Sequence, residues 1–397
     1  MTMKRINCIL LLMLTSVIVN PAFGQETKDS VEITVRPYVS LRGHAAIYDG
    51  EMELQENASR IGTEISIKHK KVAFLAGGEV QVSMFRGSSS FSADGSLSGG
   101  FLTVQAPQTK QVFGNRLGYL GVDLNKFGTL TIGKQWSVYR DITSYTDRLN
   151  VFGAKASATF IGGTDGGENG TGRADQSIIY RNRIGFFRFG AQIQARGGSN
   201  KKFIDGFGLS AQFEITKDLL IGTAFNSAFL SKNLINSGKI AGLTGQPVYL
   251  SVGSKFTGKK LELGIVGVIQ ENGDFTQGHY IDPQEGLLHP TIVFDARGIE
   301  VFGKYKFKKL SILAGYNHYA PIKSRIPDIA GQLPVDKAFG RNDFIIGLSY
   351  QPLKYVFIYT EQRISTGKSA MGEREKSVFT LGIKIELSKS FKKKIAL

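Results

Sequence analysis

Apolar and polar side chains alternate residue by residue along many segments of this chain, for about the length a strand needs to cross a bilayer. From Ser377 onwards, Phe379, Leu381, Ile383, Ile385 and Leu387 take every second place, and Val378, Thr380, Gly382, Lys384 and Glu386 fill the gaps. A strand points successive side chains to opposite faces, so this segment has one greasy face and one mostly polar face. Ile299, Val301, Tyr305 and Phe307 stand in the same way against Glu300, Lys304 and Lys306. Near the start, Val35, Val39, Leu41, Ala45 and Ile47 alternate with Arg36, Tyr38, Ser40, Arg42 and His44. A period of two argues against helices, as do 48 glycines. Beyond residue 24 no stretch comes near 18 apolar residues, so any crossing of a membrane is made by strands.

The pattern places strands at 33–48, 59–69, 72–85, 115–124, 128–136, 174–182, 185–196 and 206–216. It continues at 218–231, 247–257, 260–271, 297–308, 310–320, 342–352, 354–366 and 376–388. The connections alternate between very short ones, such as Lys70-Lys71, Asn125-Lys126-Phe127, Lys217, Gly258-Lys259 and Leu353, and stretches of roughly 9 to 37 residues. Short turns at one end and long loops at the other belong to outer-membrane barrels; a soluble β-sandwich has no reason to sort its turns this way. The expected fold is all-β, a sixteen-stranded antiparallel transmembrane β-barrel occupying residues 25–397.

Residues 1–24 read as a signal peptide. Lys4 and Arg5 precede an apolar run from Ile9 to Val19, and Ala22-Phe23-Gly24 offers a cleavage site. The single cysteine, Cys8, lies inside that segment, which leaves the mature chain without a disulfide or a thiolate metal site. The formal charge of +16 falls to +14 when Lys4 and Arg5 leave. Much of that excess sits in short connections such as Lys68-His69-Lys70-Lys71 and Lys306-Phe307-Lys308-Lys309, not on one helix or one aromatic sheet face, so nucleic acid is not the expected partner.

The longest connection, 137–173, carries Tyr139, Ile142, Tyr145, Leu149, Val151, Phe152 and Phe160. A loop exposed to water has no need of these groups, whereas one folded back against a barrel wall does.

In this region the chain resembles the general (non-specific) bacterial porins. The matching run is Asn125-Lys126-Phe127-Gly128-Thr129-Leu130-Thr131-Ile132-Gly133-Lys134-Gln135, then Tyr145-Thr146-Asp147, Phe152-Gly153, and Gly172-Arg173-Ala174-Asp175-Gln176-Ser177-Ile178-Ile179-Tyr180-Arg181-Asn182, with Ser59-Arg60-Ile61-Gly62 further upstream. The resemblance is densest over 115–195. It implies that 137–173 is a constriction loop, folded inward as the third outer loop, with acids facing a basic wall. Carried over by position, Arg60, Lys134 and Arg173 form the wall, and His44 stands where the family often has lysine. Asp147 is the matched loop acid. Val151 occupies the place of a second acid, Asp141 is a nearby substitute, and Arg148 adds positive charge. Alternation puts Arg60 on the water-facing side of its strand. It aims Lys134 at lipid unless Gly133 forms a bulge that resets the phase.

The resemblance further implies a passive channel for small hydrophilic solutes and ions in the outer membrane of a Gram-negative bacterium, in contact with lipid, assembled as a homotrimer and requiring no cofactor. The positive balance of the matched residues points to a weak anion preference. On this basis Val151→Glu moves the reversal potential towards cations and Asp147→Asn moves it further towards anions. The alternative is a substrate-specific porin for sugars or anions such as phosphate, with Tyr38, Tyr139, Tyr145 and Trp136 as an aromatic track. The loop at 87–114 is long enough to latch onto a neighbouring subunit. An enzyme is not expected, because His44, His69, His279, His289 and His318 are scattered and no Gly-x-Ser-x-Gly motif accompanies them. Residues 388–397, with Lys392-Lys393-Lys394, are expected to hang in the periplasm as a tail.

Overall fold

The computed structural model describes residues 29–56, 58–85, 113–153, 165–197, 203–281, 288–323, 326 and 335–396. Residues 1–24, where a signal peptide is expected, most of the loop at 87–114, and 154–164 of the connection after β5 lie outside these residues.

All strands join one antiparallel sheet that closes on itself. The first half comprises β1 (Ser30–Tyr48), β2 (Glu51–Glu56 continued by Arg60–His69), β3 (Val72–Val82), β4 (Phe113–Asp123), β5 (Thr129–Trp136), β6 (Arg173–Ile184), β7 (Phe187–Gln194) and β8 (Gly206–Thr216). The second half comprises β9 (Leu219–Ala228), β10 (Val248–Thr257), β11 (Leu261–Ile281), β12 (Leu288–Phe307), β13 (Leu310–Pro321), β14 (Arg341–Leu353), β15 (Val356–Ser365) and β16 (Val378–Ser388 continued by Phe391–Ala396). Each strand pairs with its neighbours in sequence. β1 closes the ring against β16, in register from Tyr38 opposite Ser388 to Ile47 opposite Phe379. These are the sixteen crossings that the alternation implies.

The two faces sort as the period of two demands. Along β11, Leu263, Ile265 and Ile269 are exposed, while Val266, Val268 and Gln270 between them are buried in the interior. The exposed set forms the lipid-facing band. Two apolar cores, described below, lie inside the barrel between the third outer loop and the wall. A further core caps the outer end, where Phe294, Ala296, Tyr319, Ile326, Val335, Phe339 and Ala370 pack together. Beside it Arg341 and Asp343 form a fully buried ion pair at 2.9 Å.

Three details differ from expectation. The first outer connection is not a long loop: β1 and β2 continue to a two-residue tip, Asp49-Gly50, where φ of +48° and +81° matches the type I′ turn favoured by Asp-Gly. The hairpin of β11 and β12 extends beyond 271 and 297 as a longer ribbon, with register slips after Gln270 and Gln277. The terminal segment does not hang free, because Phe391–Ala396 pairs with Ser30–Val35 and extends the β1–β16 seam. The reason is geometric: Ser30–Val35 has a partner only on its β2 side unless the chain end supplies the other.

A chain ending at Ser388 keeps the Tyr38–Ile47 seam and is expected to insert and close. Its unfolding temperature in detergent should fall by a few degrees relative to the full chain, as followed by the loss of β-sheet circular dichroism.

Candidate functional site: a channel constricted by an internal loop

The segment following β5 turns into the barrel. Its neck is tied where Ser137 N–H donates to Gly172 C=O at 2.8 Å. A single helical turn, α1 (Arg140–Thr143), follows. From there the loop tracks along the inner wall, and wall glycines mark its path. A Cβ on Gly190 would fall 2.8 Å from Val138, on Gly222 2.5 Å from Ile142, on Gly264 2.4 Å from the Tyr145 carbonyl oxygen, and on Gly315 3.1 Å from Leu149. These glycines stand on β7, β9, β11 and β13, so the loop lies against roughly half the circumference in space that side chains would otherwise fill.

Apolar burial and polar anchors hold it there. Tyr139, Ile142 and Tyr145 share a core with Ala224, Tyr249, Val266 and Val268. Val151 and Phe152 share another with Ala46, Tyr48, Ile345, Tyr359 and Val378. Asp141 accepts from Arg181 Nη2 at 3.0 Å and from Ser210 Oγ at 2.9 Å. Thr146 Oγ1 donates to Glu300 at 2.7 Å. At the far end of the loop, Glu361 on β15 accepts the backbone N–H of Asn150 at 2.6 Å and of Val151 at 2.9 Å. Such charge-assisted bonds in a dry interior are among the stronger ones available to a loop.

The remaining wall, from β16 through β6, is less covered: the loop touches it through Val151 and Phe152 at β16 and β1 and through Asp165 at β5 and β6, and it carries arginines. Arg42 on β1, Arg60 on β2, Arg116 on β4 and Arg173 on β6 are electrostatic neighbours in sequence, with repulsion between Arg42 and Arg60, Arg60 and Arg116, and Arg116 and Arg173. A carboxylate sits within this ladder. Glu79 on β3 accepts from Arg116 Nε at 2.6 Å and Tyr38 Oη at 2.9 Å, and lies 3.5 Å from Arg60 Nε. Glu386 lies 3.3 Å from Arg42 Nη2 and 3.6 Å from Lys384 Nζ. A cavity of about 500 Å³ runs along this wall, bordered by Tyr38, Arg60, Glu79, Tyr119, Trp136 and Glu386.

Each residue singled out from the sequence has a definite place. Arg60 and Arg173 stand on the basic wall. Lys134 points inward because Gly133, at φ +128°, begins a bulge that shifts the β5–β6 register between Gly133 and Gln135. Its Nζ meets Asp165 at 2.8 Å and Asp175 at 2.6 Å. Asp147 pairs with Arg140 at 2.7 Å, and the Arg140 guanidinium stacks 3.9 Å from the centre of the Trp136 ring, so the matched loop acid is neutralised within its own loop. Arg148 leans towards Glu262 at 3.5 Å.

Three placements correct the expectation. Asp141 is a wall anchor and not an eyelet acid, because Arg181 and Ser210 claim both its oxygens. His44 is 3% exposed beside Tyr359, whose ring packs with the loop residues Val151 and Phe152, so it does not border the opening. Val151 is itself buried at 3% exposure. An acid introduced there enters an apolar core instead of the passage, so Val151→Glu is no test of selectivity.

Sequence reasoning missed Arg116, Glu79 and Asp165. Strict alternation sends Arg116 to lipid, since Leu117 and Tyr119 face inward, but the β3–β4 register shifts after Glu79 and turns it in. The signal was available, because an arginine on the lipid face costs about 2–4 kcal/mol at mid-membrane and so implies a bulge. Asp165 lies in the returning limb of the loop and is shared by Lys134 and Arg173, the latter at 3.1 Å. Burial raises its pKa, but Arg173 and Lys134 outweigh burial and hold the carboxyl below the ordinary carboxylate range. The stabilisation this pinning gives is therefore complete above the ordinary aspartate range and is lost only as pH falls through the depressed value.

Residues 45–359 match the profile of the Gram-negative porins. Outer membrane protein F of Serratia marcescens is 26% identical over 138 residues, covering 32% of this chain and 33% of the relative, so the match spans about a third of that curated relative's length. Among solved structures, OmpF of Salmonella typhi in complex with daunomycin superposes with a TM-score of 0.66 at 15% identity, covering 89% of this chain and 97% of that one. OmpT of Vibrio cholerae in its trimer form gives 0.54 at 18% identity, covering 89% and 99%.

The anchors predict their own loss. Glu361→Ala leaves three backbone N–H groups at the end of the loop without their acceptor and should give larger, noisier single-channel conductance steps. Gly264→Val, which collides with the Tyr145 backbone, should do the same. Unchanged, quiet conductance in both variants would show that the loop does not set the passage.

Proposed function

Because this chain belongs to the Gram-negative porins, multi-pass β-barrels of the outer membrane, we propose that it is a passive diffusion channel for small hydrophilic solutes and ions with a weak preference for anions. The relatives are porins and not enzymes. The observation that carries the reading is the ladder Arg42–Arg60–Arg116–Arg173 on the more open wall, facing a loop in which Asp141, Asp147 and Asp165 are already paired.

The preference is weak because the wall is largely compensated. Arg42, Arg60, Arg116, Lys134, Arg173 and Lys384 are met by Glu79, Asp165, Asp175 and Glu386, six cations against four carboxylates. Lysines in the periplasmic turns add little, since charge is screened over ~8 Å at physiological salt in a membrane ~30 Å thick. Only the local excess is focused in the narrow passage.

A second reading, a substrate-specific porin for sugars or anions such as phosphate, draws support from the Tyr38, Tyr119 and Trp136 rings beside Arg36 and Arg60 in the cavity. Tyr139 and Tyr145 belong to the loop and are buried against the wall, so they do not contribute to such a track. Saturable uptake of one solute into liposomes favours this second reading, and rates ordered by solute size favour simple diffusion.

We also propose a homotrimer. The outer face of β2 to β6 holds an apolar groove of about 680 Å³ at Ala76, Gly78 and Gly118, flanked by Ile65, Leu120, Ile132 and Ile178. Small residues there let another wall approach closely. OmpT of Vibrio cholerae, a fold neighbour, has a trimer form.

Two outcomes are expected. In planar bilayers with a salt gradient the wild type shows a small anion-favouring reversal potential, which Arg60→Gln with Arg173→Gln reverses and Asp147→Asn increases by freeing Arg140. In mild detergent, native mass measurement gives a trimer, and Gly78→Trp shifts it towards monomer with the barrel intact. A strongly cation-selective wild type would overturn the first proposal, and a monomeric wild type the second.

A further inference from the structure

Apart from Lys354, which borders the cavity along the more open wall, the lysines of the short turns lie away from the passage. Six of the seven turns hold one, namely Lys70, Lys126, Lys217, Lys259, Lys308 and Lys354, while Asp218 is the only acid in all seven. At three places on the outer side of this rim the ammonium group stands beside an exposed ring, while a fourth such pair, Lys354 with Tyr355, borders the cavity inside. Lys126 Nζ lies 5.1 Å from the centre of Phe127, Lys308 Nζ 5.8 Å from Phe307, and Lys389 Nζ 5.1 Å from Phe391. These rings are 64%, 58% and 52% exposed. Phe307 continues the lipid-facing series of Val301 and Tyr305, and Phe391 stands opposite Val35 on the lipid-facing side of β1.

We infer that the periplasmic rim is a binding surface for anionic phospholipid in the inner leaflet of the outer membrane, with the phosphate received by the turn lysines and the upper acyl chain packed on the adjoining rings. Each ring marks the depth at which the hydrocarbon ends, and the lysine beside it reaches the headgroup level just beyond. Anionic headgroups attract such clusters, whereas zwitterionic ones offer no net charge to them. The pairing of every one of these three lysines with a lipid-exposed ring favours lipid over a soluble polyanion or the cell-wall polymer below, which would have no use for the rings. Lysines that only kept the turns solvated would show no choice between lipids.

The test uses the mature full-length protein in bilayers of phosphatidylethanolamine with a minor fraction of phosphatidylglycerol, reading by electron paramagnetic resonance which spin-labelled lipid is motionally restricted at the barrel. Phosphatidylglycerol should be enriched at least about three-fold over phosphatidylethanolamine at low salt, and the preference should vanish near ~1 M salt, where the screening length is ~3 Å. The combined variant Lys126→Gln, Lys308→Gln and Lys389→Gln, which retains the rings, should lose most of the enrichment and keep wild-type conductance. Equal association of the two lipids with the wild type overturns the proposal, as does enrichment that survives the triple substitution. Lysine-dependent sedimentation with purified peptidoglycan in the absence of any lipid preference also overturns it and assigns the rim to the cell wall. If the variant fails to fold, the salt titration of the wild type decides alone.

Discussion

A bilayer interior offers no hydrogen-bond partner to a peptide group, so every N–H and C=O of a crossing strand must find its partner in the wall. This requirement makes the sheet close, and it explains the seam. β1 is held on one side by β2 and on the other by two successive pieces of β16, so its edges are covered along most of their length, with short breaks beside Arg36 and Pro37 on the β16 side and beside Leu41 and Arg42 on the β2 side. The basic terminal segment is used for closure because an unpaired edge at the rim is the alternative.

Once the wall is complete, its interior is the place where a long loop can bury aromatic and aliphatic groups. The loop must in turn satisfy its own backbone. It does so with α1, with the tie between Ser137 and Gly172, with Gln192, which accepts from the Val138 N–H, and with Glu361 at its far end. Glycines on the wall make room where the loop crosses. Because β7 to β13 are padded in this way, passage is left to the less covered side, where the arginines stand. Narrowing and charge thus arise from the same asymmetry.

Two bulges decide which charges reach that passage. Register shifts on adjoining strands turn Arg116 and Lys134 away from lipid, where a cation is costly, and into the interior. Glu79, Asp165 and Asp175 then balance much of what the bulges bring in. At the periplasmic rim the turns hold six lysines and one acid, Asp218, so most of that positive charge has no carboxylate in its own turn.

The strands, their faces and the end that bears the short turns were legible in the sequence, because a period of two and a turn are local properties that neighbouring residues dictate. The inward loop was legible through its apolar content, and Lys134 through the glycine before it. The charge pattern of the passage was not. Asp141 turned out to hold Arg181, 40 residues away, and the end of the loop is held by Glu361, 211 residues from Asn150. His44 lies beside, and Val151 belongs to, a loop whose path depends on glycines spread over four strands. Which ion pairs form depends on distances set only when the barrel closes and the loop settles within it, so the wall was determined residue by residue and the constriction only by the tertiary structure.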